Sequence, residues 1–153
     1  MSASKSSEAY SALFPVDPEG APIFASGRRP KCLIVDDRPE NLAALEALLE
    51  GEEVEVHAAR SGTEALDLLL VHEFAIALLD VHMPIMDGLE LATLMRGSAR
   101  TRQIPIIFVT AGATNRENVF QGYESGAVDY IIKPIEPRIL RSKIRFFLEL
   151  DEQ

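Results

Sequence analysis

From Lys31 onward, short apolar or β-branched runs alternate without a break with segments of helical periodicity. No other feature of this sequence constrains its fold as strongly. The runs are "KCLIV" (31–35), "VEVHA" (54–58), "FAIALL" (74–79), "IPIIFVT" (104–110) and "VDYII" (128–132). Between and after them lie "PENLAALEALLE" (39–50), "SGTEALDLLLVHE" (61–73), "GLELATLMRG" (88–97), "NRENVFQGYES" (115–125) and "PRILRSKIRFFLEL" (137–150). Pro39 suits a first helical turn, and Leu42, Leu45 and Leu49 share one face. Ser61 and Glu64 stand at capping-box spacing, Gly97 closes the third helix, and Gly122 weakens the fourth. Strands such as 74–79 lack any polar alternation, which is the mark of a strand covered on both faces. Five strand–helix units in strict order predict an α/β fold: a parallel sheet with helices on both sides.

Length allows one domain with a substantial core. Residues 30–150 carry it, 151–153 are its C-terminal end, and residues 1–29 read as a flexible tail or linker. That stretch has four prolines or glycines between Pro15 and Pro22 and no sustained periodicity, although Leu13, Phe14 and Phe24 could lie against the domain. The net charge of −9 argues against direct nucleic-acid binding or adsorption to an anionic membrane, because both need a basic surface. No apolar run approaches the ~20 residues of a membrane span. The serine-rich start lacks the apolar centre of a secretion signal, and a single cysteine, Cys32, fits a reducing compartment. A cytoplasmic protein is expected.

In a parallel sheet of this kind, ligands bind at the carboxyl ends of the strands, near the point where strand order reverses. The residues ending the strands are Asp36 and Asp37, Asp80, Thr110 and Lys133. Three carboxylates gathered on one edge repel one another unless a cation neutralises them, and hard oxygen donors suit Mg²⁺. A lysine and a hydroxyl opposite them supply the positive charge and the donor that a phosphoryl group needs. Each residue also has an ordinary reading. Asp36 and Asp37 could cap the first helix, Asp80 could cap a turn, Lys133 could be a solvated loop charge, and Thr110 a plain strand end. Their joint placement favours a carboxylate that accepts a phosphoryl group.

The segments "LIVDDRPEN", "LLDVHMPIMDG", "PIIFVTA" and "GAVDYIIKPI", in this order and spacing, resemble the receiver domain of two-component response regulators, the CheY-like superfamily. The resemblance implies a flavodoxin-like (βα)5 doubly wound sheet with strand order 2-1-3-4-5. It implies that Asp80 takes a phosphoryl group from the phosphohistidine of a sensor histidine kinase or a histidine phosphotransfer protein. Mg²⁺, with Mn²⁺ as a substitute, would be bound by Asp37, Asp80 and the backbone carbonyl of His82, with Asp36 acting through a metal-bound water. Thr110, Lys133 and the backbone N–H of Ala111 would hold the phosphoryl oxygens, and Tyr130 would be the switch aromatic that moves with Thr110. The Lys133–Pro134 peptide would be cis. His82 and Gly112 occupy positions that tune phosphate lifetime. His57 and His72 read as surface or strand residues, Cys32 as a buried apolar filler, and Met83 and Met86 as turn residues.

Such a domain is a signalling switch rather than an enzyme. It assists only its own phosphorylation and slow dephosphorylation. An aspartyl-phosphate phosphatase would need a second acid two residues after the nucleophile, where His82 stands. A nucleotide or flavin site would need a glycine-rich loop after the first strand, and "DDRPEN" has none. A receiver-like interaction module that is never phosphorylated usually lacks one of the five strand-end residues, and all five are here. The last helix should bury Leu140, Ile144 and Phe147 and leave a second stripe of Ile139, Phe146 and Leu150, interrupted by Lys143. That stripe suggests a homodimer through the surface of the fourth helix, fifth strand and fifth helix.

Overall fold

Each of the five apolar runs forms a strand. The structure is a computed structural model that describes residues 29–111 and 129–152, the side chains of 150–152 excepted. The strands are β1 (Lys31–Val35), β2 (Glu55–Ala59), β3 (Ile76–Asp80), β4 (Ile106–Ala111) and β5 (Asp129–Lys133). The helices are α1 (Pro39–Leu49), α2 (Gly62–Val71), α3 (Gly88–Arg96) and α4 (Pro137–Glu152). Residues 1–28 of the expected tail, Gly112 and the helix expected over 115–125 lie outside the described residues.

All strand pairs are parallel, and their order is β2-β1-β3-β4-β5. This is the doubly wound arrangement, with the reversal of strand order between β1 and β3. Alternate residues of the central strands feed two separate cores, as a two-residue side-chain period demands. Leu33, Val35, Ala77, Leu79, Ile106 and Phe108 meet Ala65 and Leu69 of α2 and Leu91 and Met95 of α3. Cys32, Ile34, Ile76, Leu78, Ile107 and Val109 meet Leu42, Leu45 and Leu49 of α1 and Leu140, Ile144 and Phe147 of α4. Both faces of β3 are therefore covered, and its five residues are all buried. That is why 74–79 shows no alternation.

Two local details depart from the sequence expectation. Pairing of β2 begins one residue late, at Lys31↔Glu55, and Val54 is buried just outside the ladder. Ser61 caps α2 by accepting from Glu64 N at 3.0 Å, but the Glu64 carboxylate reaches Arg60 N, one position before the cap. The complete capping box is at α3, where Asp87 accepts from Glu90 N and Glu90 accepts from Asp87 N. In α4, Ile139 and Phe146 are about half exposed, and Lys143 pairs with Asp129 at 2.6 Å.

Candidate functional site

The carboxyl ends of β1 and β3 are neighbours, so the chain topology alone brings Asp36, Asp37 and Asp80 together. One carboxylate oxygen from each lies within 4.8 Å of the others. Asp36 and Asp80 are almost fully buried, and Asp37 is half-buried. Lys133, the last residue of β5, crosses to them: its Nζ is 3.4 Å from Asp80 Oδ1 and 3.6 Å from Asp36 Oδ2. Three acids face one ammonium, so the cluster retains an excess of negative charge. Burial, first, and then the charge of Asp36 push the Asp80 carboxyl up to about 6, with Lys133 opposing the shift and Asp37 adding to it.

Asp36 caps no helix through its side chain. The residue before α1 is Arg38, which makes no side-chain cap bond, while the Asp36 carboxylate accepts from Arg38 N at 3.0 Å. Asn41, in the first turn of α1, donates through Nδ2 to both Asp36 oxygens at 3.3 and 3.2 Å. Asn41 was not anticipated from sequence. The signal available was an amide five residues after Asp36 on a helix that Pro39 starts at once.

Gly88 sets how close α3 comes to Asp80. A Cβ there would lie 2.2 Å from the Asp80 carbonyl oxygen, and Gly88 N donates to Val81 O at 3.0 Å. No larger residue permits this approach. The loop between β3 and α3 is pinned at its other side, where Met86 covers Gly62 so closely that an added Cβ would meet Sδ at 2.4 Å. Between these anchors Ile85 has φ +69° and a fully exposed side chain, in a turn closed by Met86 N donating to Pro84 O at 2.8 Å. A β-branched residue in that region is strained.

Thr110 is buried, and its Oγ1 has no hydrogen-bond partner among the described residues. An unsatisfied buried hydroxyl costs about 1–3 kcal/mol, so a ligand oxygen offered to it would be favoured. Tyr130 is half-buried with its ring 5.7 Å from that of Phe108, on the α3 side of the sheet. Ala111 and His82 are exposed. The Lys133–Pro134 peptide is cis. Beside the cluster, a cleft of about 270 Å³ opens between Asn41, Leu45 and Leu48 of α1 and Lys133, Pro134 and Ile135.

The other singled-out residues lie elsewhere. Cys32 is buried in β1, where burial pushes its thiol up to about 12. Met83 is buried in the core with Leu91 and Phe108. His57 and His72 do meet each other, with ring centroids 4.3 Å apart, in a group with Glu55, Lys31 and Phe74. His57 stands in β2, in keeping with the sequence reading, which did not extend to the contact with His72.

A nearly buried carboxylate, two further acids and a lysine thus gather at one sheet edge, and the comparisons with known proteins give the family. The family model described as "Response regulator receiver domain" matches residues 32–145. The chain belongs to the response regulator receiver family. The transcriptional regulatory protein SrrA of Staphylococcus aureus is 43% identical over 113 residues, which are 72% of this chain and 45% of SrrA. This receiver spans less than half the length of the curated relatives it matches. A CheY-like receiver domain protein of Methanospirillum hungatei superposes with a TM-score of 0.74 at 34% identity, covering 81% of this chain and 97% of that one. The receiver domain of sensor histidine kinase PA1611 of Pseudomonas aeruginosa, with a magnesium ion coordinated in its active-site cleft, gives 0.71 at 26%, covering 79% and 98%. Among the described residues, no helix is long and apolar enough to cross a membrane.

Proposed function

We propose that this receiver takes a phosphoryl group onto Asp80 from a phosphohistidine of a sensor histidine kinase or histidine phosphotransfer protein. The observation that carries the reading is Lys133 Nζ poised between Asp80 and Asp36, beside a third acid. An Asp80 oxygen forms the new bond to phosphorus as the P–N bond breaks and its electron pair returns to the imidazole nitrogen. Lys133 offsets the negative charge of the transferring group. The unpartnered Thr110 hydroxyl donates to one phosphoryl oxygen, and the backbone N–H of Ala111 to another. The donor set fits Mg²⁺, or Mn²⁺ in its place: Asp37 and Asp80 carboxylates, the His82 carbonyl, and Asp36 through a water. When bound, the metal supplies the positive charge that the acids lack. Asn41 holds Asp36 in orientation for that role.

Phosphorylation is then read as a shift of Thr110 and Tyr130 that rearranges the surface of β5 and α4. Ile132, Ile139 and Phe146 are its exposed apolar residues, and a second copy is the simplest partner. Light scattering with and without beryllium fluoride and Mg²⁺, repeated on Phe146→Ala, tests the dimer. The phosphoacceptor is tested by incubating the chain with acetyl phosphate and Mg²⁺ and weighing it intact. One phosphate is expected on the wild type and none on Asp80→Asn. A phosphate retained by the variant would overturn the assignment.

A further inference from the structure

Leu70 and Val71, consecutive residues at the end of α2, are 74% and 72% exposed. The chain runs directly from them into His72, Glu73 and Phe74, one wall of a cleft of about 220 Å³ at the amino edge of the sheet whose other wall is Arg100, Ile104 and Pro105. Arg100 joins the two parts, because its Nε donates to Leu69 O at 3.2 Å in the last turn of α2. This surface also lies where the chain enters the fold. Ala75 N donates to Lys31 O at 2.8 Å, and Lys31 Nζ is 2.9 Å from His72 Nδ1, so the first residue of β1 touches the cleft wall.

We propose that this floor is the docking surface for the segment just before Arg29, with Ile23 and Phe24 covering Leu70, Val71 and the cleft beside Phe74. Phe24 stands five residues before Arg29, a span of at most about 17 Å in extended chain, which keeps it within reach of the floor. A tether that short gives an effective concentration on the order of millimolar, so the chain's own segment outcompetes a second copy or a free partner of equal intrinsic affinity. Charge agrees: Arg28 follows the apolar pair, and Glu73 is exposed on the cleft wall. The floor is at the opposite end of the strands from Asp80, so docking there neither adds to nor obstructs the phosphoryl site.

Two measurements on the full chain test the proposal. In Phe24→Cys/Val71→Cys, mild oxidation should yield a disulfide within one chain, read as a monomer on a non-reducing gel with two thiols lost. Phe24→Cys/Ile139→Cys, which places the second thiol on another face, should not close. In Ile23→Ser/Phe24→Ser, hydrogen exchange over 69–75 should speed up at least about fivefold, with β3 and β4 unchanged. Linkage only between chains would assign the floor to a second copy and overturn the proposal. No linkage together with unchanged exchange would overturn it as well.

Discussion

The two edges of the sheet treat polar groups in opposite ways. At the amino edge, charged and polar side chains are matched: Lys31 with His72, His57 with Glu55, Arg100 with the Leu69 carbonyl, and Arg96 with the carbonyls of Arg102 and Ile104. At the carboxyl edge, three acids share one lysine, a buried threonine hydroxyl has no partner among the described residues, and Ile85 is held at positive φ in full exposure. The same strands and the same two cores support both edges. The difference shows where stability has been yielded: unsatisfied groups collect at the proposed phosphoryl site, and matched groups at the far end of the strands.

The largest effect that would break this contrast is at Lys133. Lys133→Met should slow phosphorylation by acetyl phosphate about 100-fold or more, measured by intact mass over time, while circular dichroism stays that of a folded chain. A small change would mean that Lys133 is only structural.

Next in size is the cost of the buried negative charge. The Asp80 carboxyl is raised in the fold from 3.8 to about 6, so its contribution to stability is fully present below about pH 4 and is lost as pH rises through about 6. Metal-free Asp80→Asn should escape that loss and exceed the wild type at pH 7.5 by about 1–3 kcal/mol in urea denaturation. The gap should close near pH 4. A gap that does not vary with pH would point to altered packing instead of charge.

At the amino edge the sign should reverse. Arg96→Ala strips the donor from the Arg102 and Ile104 carbonyls and should destabilise the chain by about 1–2 kcal/mol, with phosphorylation rate unchanged. A slower phosphorylation would deny that the edges are independent.

The smallest effect belongs to the strained loop. Ile85→Gly removes the β-branch at φ +69° and should stabilise by up to about 1 kcal/mol, net of the extra freedom that glycine gives the unfolded chain. A clear loss of stability would mean that the turn is not strained.

How much of this was legible in the sequence depended on the range of the interaction. Strand existence, helix faces and the parallel sheet follow from periodicity, and parallel topology then places Asp36, Asp37 and Asp80 on one edge whatever their side-chain angles. Asn41 was invisible because its role depends on how the first turn of α1 faces back onto Asp36, which no spacing rule encodes. The His57–His72 contact joins β2 to the end of α2 across fifteen residues, with no periodic signal between them. The one-residue delay of β2 and the misplaced partner of Glu64 were decided by edge pairing and backbone direction, both finer than a hydrophobic pattern can resolve.

The central claim, that the carboxyl edge is kept destabilised until a cation arrives, is tested most directly by urea denaturation with and without millimolar Mg²⁺. The wild type should gain stability with Mg²⁺ by linkage, Asp80→Asn should lose most of that gain, and Arg96→Ala should keep it in full. A wild-type stability that does not respond to Mg²⁺, or a gain equally large in Asp80→Asn, would contradict the account.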